Sequence, residues 1–135
     1  MPQTLAMSVA EVQAWLDRYI ELWRAPDAAA IGELFTEDVY YRHGGYSQPI
    51  VGRAALVEHW LADPDPDGSW EVDWRVEFVG DEMAAASGTT TYHDSARPGY
   101  PGEYSNVFLL RFDADGRCSG FREWWMPRPR PRPAG

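Results

Sequence analysis

The chain has 135 residues, 44% of them apolar, with seven Trp, seven Tyr and five Phe and a formal net charge of −9. All twelve cations are Arg, which excludes Lys Schiff-base chemistry, and the acidic body lacks the basic face that nucleic-acid binding needs. No apolar run reaches the length of about 18 residues that a membrane-spanning helix requires, and no signal-peptide pattern opens the chain, so a cytoplasmic protein without membrane partners is expected.

One domain of this size buries roughly two-thirds of its unfolded surface. Its aromatic load suits a core, and equally the wall of an apolar pocket. Cys118, the single cysteine, leaves no disulfide within the chain and no Cys-rich metal site; it reads as a small strand residue.

Residues 1–7 read as a loose end. Ser8-Val9-Ala10-Glu11 is a capping box, and Val12, Trp15, Leu16, Tyr19, Ile20 and Trp23 follow helical spacing along one face. This helix ends near Arg24-Ala25, before Pro26. Asp27 caps a second helix through Ala28–Phe35, and a short strand follows from Asp38 to His43. Gly44–Val51 is a loop, and Arg53–Leu61 a third helix with Leu56, Val57 and Trp60 on its apolar face. The Asp/Pro-rich stretch 63–68 is a loop by its breaker residues. Four strands are expected at Trp70–Val79, Met83–Asp94, Glu103–Phe112 and Arg117–Met126, joined by tight turns at Gly80-Asp81 and Asp113–Gly116 and a wider one at 95–102. Pro127–Gly135 alternates Pro with Arg and reads as an extended, solvated tail. Helices first and strands afterwards make an α+β layer protein.

His43, ending the first strand, is the leading candidate for chemistry, because a neutral imidazole with a pKa of ~6.5 suits a general base near neutrality. On the last strand Phe121, Glu123 and Trp125 share one face while Arg122 and Trp124 share the other. Tyr104, Asn106, Phe108 and Leu110 share a face of the strand before it. On the strand before that, Ser87, Thr89, Thr91 and His93 alternate with Gly88, Thr90, Tyr92 and Asp94. His59 and His93 read as exposed. The three histidines occupy separate elements without a ligand motif, so no metal is expected. There is no Gly-x-Ser-x-Gly nucleophile motif and no phosphate-cradling glycine loop.

The Leu34–Val39 turn, Gly52-Arg53 opening the third helix, Tyr104-Ser105-Asn106, Asp115-Gly116 and Arg122-Glu123-Trp124-Trp125 occur in the order found in the nuclear-transport-factor-2-like, or SnoaL-like, domain. The chain resembles that family over residues 8–126. The resemblance implies a cone-shaped α+β barrel, with three N-terminal helices packed in a curved, mainly antiparallel sheet and a pocket at the wide end. From Tyr19 to Trp60 the chain looks like the ketosteroid isomerases. Tyr19 matches their oxyanion-donating tyrosine, and their proton-shuttling aspartate falls on His43. Their second oxyanion donor falls on Phe108, and a supporting tyrosine on Trp60. One donor is kept, the base is replaced and the second donor is lost, so steroid isomerisation by the familiar route is not implied. The family register turns Glu123 inward, where it would orient His43 as a carboxylate orients the histidine of a catalytic triad. The same register sets Thr89 toward the pocket.

The expectation is therefore a small-molecule enzyme of cofactor-free acid–base type: an isomerase, cyclase or dehydratase acting on an apolar carbonyl- or hydroxyl-bearing substrate. His43, Tyr19 and Glu123 would be catalytic. Tyr41, Trp60, Thr89, Asn106, Phe108 and Trp125 would bind substrate, and a homodimer is expected. The alternative is a non-catalytic ligand-binding or dimerisation domain of the same fold.

Overall fold

A computed structural model describes residues 7–62, 65, 68–93 and 102–129. The expected loose N-terminus up to residue 6, most of the turns at 63–68 and 95–102, and the tail from residue 130 lie outside the described residues.

Helix α1 spans Val9–Arg24 and starts where the capping box lies: Glu11 N–H donates to Ser8 Oγ and Ser8 N–H to Glu11 Oε1, each at 3.0 Å. Its buried stripe is Val12, Trp15, Leu16, Tyr19 and Leu22, with Ile20 and Trp23 at the margin. Asp27 caps α2 (Ala28–Leu34) by accepting from Ala30 N–H at 3.0 Å. Phe35 is not the last helical residue. Its backbone is extended (φ −127°, ψ 152°), and it opens strand β1 (Phe35–His43), which buries Phe35, Val39 and Tyr41 on one side. Two residues of the expected loop, Ile50 and Val51, form strand β2 against Tyr41 and Tyr40. Helix α3 (Arg53–Ala62) follows, then β3 (Trp70–Val79), β4 (Ala84–Tyr92), β5 (Glu103–Phe112) and β6 (Cys118–Pro127).

The sheet order is β2-β1-β6-β5-β4-β3. It is mixed: β1 runs parallel to β6, and the other pairings are antiparallel. The sheet does not close, since β2 and β3 are its two edges, so the expected barrel is an open sheet curled over the helices. In a flat sheet β1 and β3, four strand spacings apart, would be separated by about 19 Å. Yet Tyr19 on α1 meets the Tyr41 hydroxyl of β1 at 2.7 Å and has its ring 5.9 Å from that of Trp74 on β3. The curl of the sheet over α1 lets one side chain of that helix reach both strands. Gly88 contributes to it: a Cβ there would lie 1.9 Å from the Asp73 carbonyl oxygen, so only glycine lets the backbones of β3 and β4 approach so closely.

The core lies between the concave face and the helices. Leu16, Ile31, Phe35, Val39, Leu56, Phe108, Leu110 and Phe121 are wholly buried. Trp15 packs edge-on to Phe35 and Phe112, and its indole N–H, which would otherwise be stranded, donates to Leu34 O at 3.1 Å. At the C-terminal end, Pro127 belongs to β6 rather than to the tail. It pairs with Tyr104, and Arg128 holds Glu103 through its backbone N–H and its guanidinium, both at 2.8 Å.

Candidate active site

The curl of the sheet leaves a cavity of about 320 Å³ over the helices. Tyr41 and His43 of β1, Glu123 and Trp125 of β6, and Tyr104 and Asn106 of β5 form one side. Thr90 and Tyr92 of β4 and Trp74 of β3 continue the wall, and Tyr19, Trp23, His59 and Trp60 close it from α1 and α3.

The parallel pairing of β1 with β6 puts His43 directly beside Glu123. Side chains at paired positions of neighbouring strands leave the sheet on the same face, and His43 Nε2 stands 3.0 Å from Glu123 Oε1. The two environments differ: Glu123 is 4% exposed, whereas the His43 side chain is 56% exposed at the mouth. Partial burial lowers the His43 pKa, but the hydrogen bond and negative charge of Glu123 outweigh it, and the imidazole ends above its ordinary value. The ring of Tyr41 lies parallel to the imidazole, with centroids 6.5 Å apart.

Behind Glu123 runs a line of buried polar groups. Trp74 Nε1–H donates to Thr90 Oγ1 at 3.1 Å, and Thr90 Oγ1–H donates to Asn106 Oδ1 at 2.8 Å. Asn106 Nδ2–H then donates to Glu123 Oε2 at 2.8 Å. Thr90 and Asn106 are each 3% exposed, so these bonds replace water the groups cannot reach.

Across the cavity floor the hydroxyls of Tyr19 and Tyr41 meet at 2.7 Å. Burial pushes both phenols well above their ordinary pKa, so both remain neutral. The pair holds two hydroxyl protons and uses one internally, which leaves one O–H to donate to a guest. Three lining indoles have their N–H groups engaged within the protein: Trp23 with Asp65 Oδ2 at 3.0 Å, Trp60 with Leu22 O at 3.3 Å, and Trp74 with Thr90. They therefore turn ring surface, not donors, toward the space.

Seven of the nine residues singled out from the sequence line the cavity: His43, Tyr19, Glu123, Tyr41, Trp60, Asn106 and Trp125. Phe108 does not. It is wholly buried beneath, packed on Trp74 and Phe121 at 4.6 and 5.6 Å. Thr89 is exposed on the opposite face of the sheet, and its neighbour Thr90 takes the inward position. In a run as uniformly small and polar as Ser87–Thr91, nothing local marks the buried face; the donor on Trp74 decides it. Thr90, Trp74 and Trp23 are the principal lining residues missed. The alternation of Trp70 with Trp74 was the available signal, since both are buried on the same strand. His59, read as a surface residue, is exposed and also lines the cavity. His93 is exposed, as expected. Among the described residues no three His, Cys, Asp or Glu side chains converge as a metal ion would require, and no helix is long and apolar enough to cross a membrane.

A curled, open sheet over three helices with a cavity under its strands defines a class, and comparison with known proteins agrees. The model of the SnoaL-like domain matches residues 16–121. The chain belongs to that family. Within it, the chain is 30% identical over 118 residues to a steroid Δ-isomerase of Nocardioides simplex, covering 87% of this chain and 92% of the relative. A candidate ketosteroid isomerase of Kribbella flavida DSM 17836 shares the fold with a TM-score of 0.66 and 23% identity, over 93% of this chain and 85% of that one. An NTF-2-like protein of unknown function from Burkholderia xenovorans LB400 does so with a TM-score of 0.67 and 17% identity, over 94% and 92%.

Proposed function

We propose that the chain is a cofactor-free enzyme moving a proton on an apolar, carbonyl- or hydroxyl-bearing molecule held in the cavity. The observation that carries this reading is the His43–Glu123 contact of 3.0 Å at the mouth of an aromatic-walled space. His43 takes a proton from a carbon beside the substrate carbonyl, and the bonding pair moves to the oxygen as an enolate. The free O–H of the Tyr19–Tyr41 pair donates to that oxygen where charge develops. Return of the proton to another carbon completes an isomerisation, whereas its delivery to a leaving hydroxyl completes a dehydration. Fused-ring ketones are the first substrates to test, because the 30% identical relative is a steroid Δ-isomerase.

A non-catalytic binding role is the second reading, favoured by the line from Trp74 to Glu123, whose polar groups already satisfy one another without a guest. One variant separates the two. Under the enzyme reading His43→Ala lowers turnover by about 10²–10⁴-fold, the usual contribution of a positioned acid–base group. A substrate that binds wild type and variant but is turned over by neither favours the binding role. A homodimer across the outer sheet face belongs to either reading. Val107 and Met126 stand 47% and 67% exposed there, with Val107 opposite Trp124, and sedimentation at rising concentration tests the association.

A further inference from the structure

The polar line behind Glu123 has a direction, and the direction reaches the reacting group. An indole N–H can only donate, so the 3.1 Å contact from Trp74 occupies an acceptor site on the Thr90 hydroxyl. The single hydroxyl proton of Thr90 is then free to go to Asn106, 2.8 Å away, which must present its oxygen to receive it. That fixes the amide the other way round at its far end: the NH₂ group faces Glu123 Oε2 at 2.8 Å. A flipped amide would set oxygen against carboxylate oxygen there and leave the Thr90 proton without its acceptor. The Glu123 carboxylate accepts on both oxygens: Asn106 holds Oε2, and Oε1 is turned to His43 Nε2 at 3.0 Å. A neutral imidazole carries one N–H, and here it lies on Nε2.

We propose that Thr90 and Asn106 are positioning residues: they hold the Glu123 carboxylate so that Oε1 receives Nε2–H of His43, and Nδ1 is the nitrogen that exchanges a proton with substrate. This rests on the acid–base reading of the site and adds to it the atom that reacts and the buried groups that select it. Asn106 touches neither the imidazole nor its reactive side. Its effect passes through the orientation of one carboxylate. In the reaction the substrate C–H proton goes to Nδ1, giving an imidazolium whose Nε2–H stays on Glu123, and the same proton leaves from Nδ1 on return.

The test uses the isosteric exchange of acid and amide. In Glu123→Gln, the NH₂ of Asn106 still needs an acceptor, so the introduced amide must turn its oxygen to Asn106 and its own NH₂ to His43. Nε2 then has to accept, and the imidazole proton moves to Nδ1. In the double variant Asn106→Asp/Glu123→Gln, the carboxylate at 106 still accepts from Thr90 and now also from the amide at 123. The amide oxygen faces His43 again, and the Nε2–H tautomer returns. Nitrogen-15 NMR of the full-length protein with labelled histidine reads the tautomer directly, without any substrate. The expected series is Nε2–H in wild type, Nδ1–H in Glu123→Gln and Nε2–H in the double variant. Turnover falls in the single variant and recovers in part in the double one. In the Glu123→Gln background Thr90→Val frees the Asn106 amide to turn over and restores part of the Nε2–H form, and Thr90→Ser does not.

Unchanged Nε2–H in folded Glu123→Gln, or no reversal in the double variant, overturns the proposal. Should either position-123 variant fail to fold, Asn106→Leu decides: with no donor on Oε2 the carboxylate is no longer held and the Nε2–H fraction falls, and an unchanged spectrum overturns the proposal. If the tautomer series appears but no substrate is turned over, the positioning stands and the enzyme reading falls.

Discussion

His43 is subject to opposed influences: partial burial acts against the charge, while Glu123, the residue's own backbone carbonyl and the Asp65 carboxylate favour it. The favourable ones win, so the folded imidazole has a pKa above the unfolded value of 6.5. A group raised on folding contributes stability that is fully present below about pH 6.5 and is lost as the pH climbs through the raised folded value. Denaturation of wild type against His43→Ala should therefore show a stability difference that shrinks with rising pH over that window. Turnover by a neutral base runs the other way, increasing with pH across the same step. A pH–rate profile whose rising limb coincides with the falling stability difference would assign both to one group. Limbs at clearly different pH would separate the catalytic base from His43.

At the level of elements, the closest backbone approach lies between β3 and β4. Gly88→Ala would drive its Cβ into the Asp73 carbonyl oxygen, which only a shift of one strand can relieve. We expect a loss of about 3 kcal/mol, the upper part of the usual range for overpacking. Denaturant midpoints with an unchanged slope measure it, and a loss under about 0.5 kcal/mol would mean that the sheet bends without Gly88. The cap of α2 offers a milder case: Asp27→Ala removes the acceptor for Ala30 N–H and should lower stability by about 1 kcal/mol. Local chemistry of this kind is what a sequence discloses well. Ser8 and Glu11 specify the start of α1 within four residues, and the period of Val12, Trp15, Leu16 and Tyr19 specifies its buried face. The neighbour of a strand is a different matter. Nothing near Phe35–His43 indicates that it will lie parallel to Cys118–Pro127, because that choice is made by the curl of the whole sheet. The inward turn of Thr90 was hidden for the same reason, since its partner Trp74 lies on another strand.

For the molecule as a whole, the site is a space rather than a surface, and filling it should act on global stability. A ligand present at a hundred times its dissociation constant adds about 2.7 kcal/mol to the folded state. A thermal-shift screen of fused-ring ketones and hydroxy-ketones should find compounds that raise the melting temperature of wild type. Trp60→Ala, which opens the aromatic wall, should abolish the shift while the variant still melts cooperatively. Shifts that survive this change would locate binding elsewhere.

The side-by-side placement of His43 and Glu123 also has a kinetic consequence. One residue lies on the first strand of the chain and the other on the last, and they meet only when the two pair in parallel. Contacts so distant in sequence carry a large loop-closure cost and tend to form late. The His43–Glu123 pair should thus be missing from the folding transition state and complete only in the finished protein. A molecule lodged in the cavity would then leave the folding rate untouched and slow unfolding alone, so its presence is best detected by how long the native state survives.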